Sequence, residues 1–239
     1  MGASYFQFKQ FIIHQQHCSM KVTTDACLFG AWVANKIEND KSTKNILDIG
    51  SGSGLLSLML AQKTPATIDG IELQKSDYLQ SLENIASSPW KERVNIIHAD
   101  AINYSFTQKY EAIISNPPFY ENDLKGGKKS KNIAHHDEGL TIKDLIPIIT
   151  KQLSENGKFY LLLPAKREDE ILKAISNSSL SLNQVTYVHQ TEKHPAFRIM
   201  IKAGWDAKPE QTEKIIIKEN DNYSARFMQL LRDYYLYIG

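Results

Sequence analysis

Four consecutive residues, Asn116-Pro117-Pro118-Phe119, close an apolar run, Ala112-Ile113-Ile114-Ser115. A side-chain amide oxygen next to a proline carbonyl makes a rigid acceptor edge, because proline holds φ and carries no N–H. That edge suits a planar exocyclic amine, a poor nucleophile whose lone pair is delocalised into its ring. Accepting both amine hydrogens favours a localised lone pair, which can then be aimed at an electrophile. Phe119 offers an aromatic face on which a base can stack. A Pro-rich turn after a strand would give the same four residues with no chemistry. Upstream, however, stands a glycine-rich turn, Asp48-Ile49-Gly50-Ser51-Gly52-Ser53-Gly54. The two segments together point to a methyl donor held next to an amine acceptor.

The glycine turn follows an apolar segment and precedes a helical one, so the backbone there can take positive φ and approach a ligand closely. A dinucleotide site spaces its glycines as G-x-G-x-x-G and sets a pyrophosphate on the helix N-terminus. Here the spacing is G-x-G-x-G with Asp48 in front. An acid would repel phosphate, whereas S-adenosylmethionine has no phosphate and carries an ammonium. Asp48 therefore argues for that cofactor over a dinucleotide, with Gly50 and Gly52 letting the backbone come close to it. Glu72, closing Asp69-Gly70-Ile71-Glu72, can take two ribose hydroxyls, and Asp100 can accept from an adenine amine. A solvated strand end and a turn residue are the bland readings of these two acids.

Those residues need a scaffold that brings strand ends together. Apolar segments at 45–49, 67–72, 94–98, 111–115 and 158–163 read as strands, and 55–62, 75–86 and 142–153 as helices, the last closed by Asn156-Gly157. This alternation predicts a parallel sheet wrapped by helices, with ligands at the carboxyl ends of the strands. Further strands at 185–190, 197–202 and 214–217 are separated by short turns and suggest an antiparallel edge. A helix is expected over 26–37, capped at Thr24 and Asp25, and a final amphipathic helix over 225–235 that packs Tyr234, Tyr235 and Tyr237.

With 239 residues, 42% hydrophobic and 23% charged, the chain is of globular composition and long enough for one domain spanning 1–239. Residues 1–42 form a lead-in closing over the cofactor side, and 43–239 the catalytic core with its last helix. A formal net charge of +1 means that any nucleic-acid surface is local. Two cysteines, Cys18 and Cys27, make no disulfide framework, and no basic-then-apolar leader or bilayer-length apolar run is present; a cytoplasmic location is expected. His14, His17, Cys18 and Cys27 have no common zinc spacing, so no metal is expected.

On these motifs the chain resembles a class I S-adenosylmethionine-dependent methyltransferase, and within that class the bacterial tRNA(Val) adenine-N6-methyltransferase family, which modifies the adenosine 3′ of the anticodon. Markers of the family stand outside the shared core: Phe6-x-Phe8-Lys9-Gln10-Phe11, Met20-Lys21-Val22-x-Thr24-Asp25, Leu28-Phe29-Gly30-Ala31-Trp32, Pro195-Ala196-Phe197-Arg198 and Tyr223-Ser224-Ala225-Arg226-Phe227. Ala134-His135-His136 stands where the family has Ala-Arg-His, so the arginine is replaced. The resemblance implies a Rossmann-like α/β fold, a mostly parallel seven-stranded sheet with helices on both faces, tRNA as substrate, action as a monomer, and neither membrane nor metal. It implies that Asn116 and the carbonyl of Pro117 accept from the target amine and that Phe119 stacks on the flipped base, Pro118 stiffening the edge. Thr24 and Asp25 would close over the cofactor's amino-acid end.

Lys125, Lys128, Lys129 and Lys131, directly after the acceptor motif, are candidate phosphate contacts, and Lys9 and Lys21 would widen that patch. Two other enzymes use related motifs: ribosomal RNA guanine-N2 methyltransferases, which usually carry a duplicated domain, and glutamine-N5 methyltransferases of release factors, which usually have Tyr in place of Phe119.

Overall fold

The computed structural model describes residues 3–117 and 140–238. A short hairpin opens the chain, β1 (Tyr5–Gln7) and β2 (Ile12–His14), followed by α1 (Thr24–Ile37). Then come β3 (Asn45–Ile49), α2 (Leu55–Lys63), β4 (Thr67–Glu72), α3 (Lys75–Ala86), β5 (Val94–His98) and β6 (Tyr110–Ser115). The second half has α4 (Ile142–Gln152), β7 (Leu153–Pro164), a 3₁₀ turn (Ala165–Arg167), α5 (Glu168–Ser176), β8 (Ser181–Thr191), β9 (Ala196–Gly204), β10 (Gln211–Glu219), β11 (Asn222–Tyr223) and α6 (Ala225–Leu231).

All strands after the hairpin join one sheet in the order β11-β10-β8-β9-β7-β6-β3-β4-β5. From β5 to β7 the pairs are parallel, and β9 is inserted antiparallel between β7 and β8. The seven strands from β5 to β8 are the expected sheet; beyond it β10 pairs with β8 in parallel, against the antiparallel edge expected there, and only the short β11 adds antiparallel to β10. Strand order reverses between β3 and β6, the place where open α/β sheets leave a crevice at the carboxyl ends.

Both faces of the sheet are apolar, as covering by helices on both sides requires. Ile46, Ala112, Ile114, Tyr160 and Leu162 pack against α1 and α2, while Leu47, Ile49, Ile113, Phe159 and Leu161 pack against α4 and α5. The period-2 alternation of side chains thus feeds two separate cores. Truncating Leu47, which is wholly buried, to Ala would cost about 2–5 kcal/mol.

Three expectations on the scaffold are corrected. The cap of α1 is Thr23, whose hydroxyl accepts the Ala26 N–H, so Thr24 and Asp25 lie in the first turn. Helix α4 stops at Gln152, and Asn156-Gly157 lie within β7, because the chain enters the sheet at Leu153, opposite Tyr110. An irregularity between Tyr110 and Ala112 absorbs the intervening residues. Helix α6 ends at Leu231, and the chain then turns back: Lys9 N–H donates to the Tyr234 carbonyl, and Phe8 bridges Tyr235. Tyr234 is buried with its hydroxyl on the Met59 carbonyl at 3.0 Å, whereas Tyr237 is 91% exposed, so these tyrosines form no common helical face.

Candidate cofactor and acceptor site

The loop between β3 and α2 is held to β4 by its backbone. Gly50 and Ser51 N–H groups both donate to the Ile71 carbonyl, at 2.9 and 3.2 Å. Gly50, Gly52 and Gly54 have φ of 73°, 54° and 82°, the left-handed region that disfavours any Cβ. A Cβ built on Gly50 or Gly52 meets nothing within 4 Å, so these glycines serve the backbone turn and leave open space before it.

Glu72 sits at the mouth of that space. Its Oε2 accepts the Gly52 N–H at 2.8 Å and its Oε1 the Gln74 N–H at 2.7 Å. Burial raises its carboxyl above the usual range, and the N–H groups of Gln74 and Gly52 partly offset this. Each oxygen retains a lone pair for a further donor such as a ribose hydroxyl.

Asp48 is fully buried behind the loop, with Oδ2 accepting from Ser57 Oγ at 2.7 Å and Oδ1 without a partner. Burial pushes its carboxyl up to about 7, against the Ser57 hydrogen bond. An unsatisfied buried carboxylate oxygen is costly. A cationic ligand group nearby would favour the ionised form, which fits the ammonium of S-adenosylmethionine.

Asp100 follows β5, where its oxygens accept from Ile102 N–H at 2.9 Å and Asn103 Nδ2 at 2.7 Å. It is thus a turn-forming residue with lone pairs to spare. Sequence reasoning missed the apolar residues beside these acids. Leu73 is 46% exposed directly after Glu72, and Ile102 is 52% exposed two residues beyond Asp100. Such apolar surfaces flanking two carboxylates can hold a planar ring. The available signal was an apolar residue following each acid.

The lead-in lies over this side of the site. Asp77, at the start of α3, accepts from Ser19 N–H at 2.9 Å and Ser19 Oγ at 2.7 Å. Asn84 is buried and uses all its polar atoms: Oδ1 accepts from His14 N–H, and Nδ2 donates to the carbonyls of His14 and Ser53, each at 2.9 Å. One side chain therefore ties β2 to the glycine loop. Burial, then Asp77, push the Cys18 thiol up to about 12, and burial does the same for Cys27, so neither ionises readily.

Lys21 donates to the backbone carbonyl of Gln15, within the segment packed on α3. Lys9 is placed elsewhere: its ammonium bonds the Arg232 carbonyl and it shares a pocket with Gln62 and Lys63 at the C-terminal end of α2, the opposite edge of the sheet. Thr24 and Asp25 reach the carboxyl edge, where Asp25 Oδ2 accepts from Arg198 Nε at 2.7 Å.

On the acceptor side, β6 pairs in parallel with β3, with Ile49 opposite Ser115. Gly50 and Asn116 therefore leave adjacent strands side by side, separated by about one strand spacing of 4.8 Å. Ser115 Oγ donates to the Ile49 carbonyl at 2.7 Å and secures this junction. Asn116 is half-buried and Pro117 buried. Expectations for Pro118, Phe119, Lys125, Lys128, Lys129, Lys131 and the His135-His136 pair lie outside the described residues.

The strand order, the positive-φ loop and the acid closing the next strand define a class I methyltransferase fold. Solved structures agree: a predicted O-methyltransferase from Agrobacterium tumefaciens has TM-score 0.66 at 17% identity, covering 90% of this chain and 99% of its own. A putative class I S-adenosylmethionine-dependent methyltransferase from Listeria monocytogenes has TM-score 0.61 at 12% identity, covering 85% of this chain and 68% of its own. Residues 30–199 match the Methyltransferase small domain family.

Curated relatives named tRNA1(Val) (adenine(37)-N6)-methyltransferase narrow this further. That of Cytophaga hutchinsonii is 37% identical over 99% of both chains, and that of Aeromonas hydrophila 38% identical over 98% of both. The protein of Aliivibrio salmonicida, with the same name, is 36% identical over 97% of both. The chain belongs to this tRNA1(Val) (adenine(37)-N6)-methyltransferase family.

Proposed function

We propose that this protein uses S-adenosylmethionine to methylate N6 of the adenosine at position 37 of tRNA(Val). The observation that carries the reading is the pairing of Ile49 with Ser115, which sets the glycine loop and Asn116 on neighbouring strand ends. Family membership supplies the acceptor, since the relatives are named for that nucleotide.

Asp48, Gly50, Gly52, Glu72 and Asp100 would hold the cofactor, with Leu73 and Ile102 walling its ring; the orphan oxygen of Asp48 and the open space before Gly50 and Gly52 support that fit. When bound, S-adenosylmethionine supplies an electrophilic methyl. The amide oxygen of Asn116 and the carbonyl of Pro117 accept the two hydrogens of the adenine amine and aim its lone pair. The amine's surplus proton passes to water, so no side chain is needed as general base. The base must leave its stack to reach these groups. Pro118 and Phe119 belong to the same proposal, as do the loop lysines, monomeric action and a cytoplasmic setting.

The test is transfer from labelled S-adenosylmethionine into total tRNA lacking the modification, with nucleoside mass spectrometry. N6-methyladenosine supports the reading. Methylguanosine, or no transfer by protein that binds the cofactor, overturns it.

A further inference from the structure

The turn joining β8 and β9 overhangs the site. Strand β7 ends at Pro164, opposite Arg198, whereas the β8–β9 ladder continues to His189 opposite Ala196. Residues 190–195 therefore project roughly 10 Å beyond the end of β7, at about 3.3 Å per residue. In the sheet order β6-β7-β9, Arg198 lies two strands from Asn116, again about 10 Å across.

The tip is built from hydrogen bonds of its own. His194 N–H donates to the Thr191 carbonyl at 3.2 Å, Thr191 Oγ1 meets His194 Nδ1 at 2.7 Å, and His189 Nδ1 meets the His194 carbonyl at 2.8 Å. Gln190, Glu192, Lys193, His194 and Pro195 are nevertheless exposed. At the base of the hairpin, Asp25 takes Nε of Arg198 and so orients the guanidinium. One Nη reaches the Phe197 carbonyl at 3.4 Å, and the carbon of the guanidinium lies 5.6 Å from the Phe197 ring centre. The Arg198 side chain stays 35% exposed against 14% for Asp25, leaving N–H groups turned to solvent. A preset fork below the exposed Lys193 matches the geometry of phosphates along a strand.

We propose that the β8–β9 hairpin is an RNA-backbone grip, in which Arg198, oriented by Asp25, and Lys193 at the tip take phosphates next to the target adenosine. Asp25 is then a positioning residue for the RNA. The proposal rests on tRNA being the substrate and deepens that reading.

The test uses Lys193→Ala, Arg198→Gln and Asp25→Asn with a tRNA(Val) transcript, measuring KM for tRNA, its salt dependence, filter retention of the transcript and cofactor affinity. Lys193→Ala and Arg198→Gln should each raise KM for tRNA about five-fold or more and flatten the log–log salt slope by about 0.7–0.9, the release expected for one phosphate contact. Asp25→Asn should raise the same KM by less, and cofactor affinity should stay within about two-fold in Lys193→Ala and Arg198→Gln. Unchanged KM and salt slope in Lys193→Ala and Arg198→Gln would overturn the grip. So would loss of cofactor affinity and thermal stability in Arg198→Gln with Lys193→Ala silent, which would mark the Asp25 pair as structural. If wild type binds the transcript without methylating it, the proposed reaction fails, and filter retention by the variants still decides the grip.

Discussion

Gly52 donates its backbone N–H to Glu72 at 2.8 Å, joining the loop after β3 to the acid that ends β4. The carboxylate thus braces the loop, besides its proposed role toward a ribose. Glu72→Ala should weaken cofactor binding by at least about ten-fold, since charge-assisted hydrogen bonds contribute about 1.5–3 kcal/mol each. Isothermal titration with the cofactor or its demethylated product would measure this, and affinity within two-fold of wild type would remove Glu72 from the site.

Asp48 makes stability depend on pH. Its folded carboxyl titrates at about 7, above the usual carboxylate value, so the folded state holds a proton that the unfolded state has lost. Stability from this group is full below about pH 4 and declines as pH rises to about 7. Asp48→Asn keeps the shape and removes the titration. The variant should therefore gain thermal stability relative to wild type between pH 5 and pH 8, by a few degrees. Binding a cationic ligand should release a proton from wild type in this range and not from the variant, which calorimetry in buffers of different ionisation enthalpy reads directly.

Asn84 satisfies three backbone groups on two residues far apart in sequence, His14 N–H and C=O and Ser53 C=O. Asn84→Ala should destabilise the protein by about 1–3 kcal/mol, because three part-buried backbone groups lose their partner. Hydrogen exchange should speed up at the His14 amide and through the glycine loop together. Faster exchange at His14 alone would show that the hairpin and the loop are not coupled.

Asn116→Ala should lower kcat by about 10²-fold or more while leaving cofactor affinity unchanged, if the amide acts on the acceptor amine as proposed. A variant that folds and turns over normally would displace Asn116 from the reaction. One that loses cofactor binding instead would move it to the donor side.

Much of this architecture can be read from the chain because its signals are local. The strands at 45–49, 67–72 and 94–98 and the helix at 75–86 have the expected bounds, each being an apolar or amphipathic run closed by a turn or an acid. Features that depend on partners distant in sequence were hidden. The N-terminal hairpin has strands of three residues, too short for a period-2 pattern, and is secured by Asn84 seventy positions away. Strand β7 begins at Leu153 because Tyr110 pairs with it, which no turn signal at Asn156-Gly157 could announce. Of the proposed site, Asp48, Glu72 and Asn116 are candidates from type and spacing alone. The pairing of Asp25 with Arg198 was not, as 173 positions separate them. Lys9 looked like part of a basic lead-in until the fold carried it to the C-terminal end of α2.

The most direct measurement compares two tRNA(Val) transcripts, one with adenosine and one with guanosine at position 37, in single-turnover methylation followed by nucleoside mass spectrometry. The account predicts stoichiometric N6-methyladenosine in the first and no methyl in the second. Equal methylation of both, or methylguanosine in the second, would contradict it.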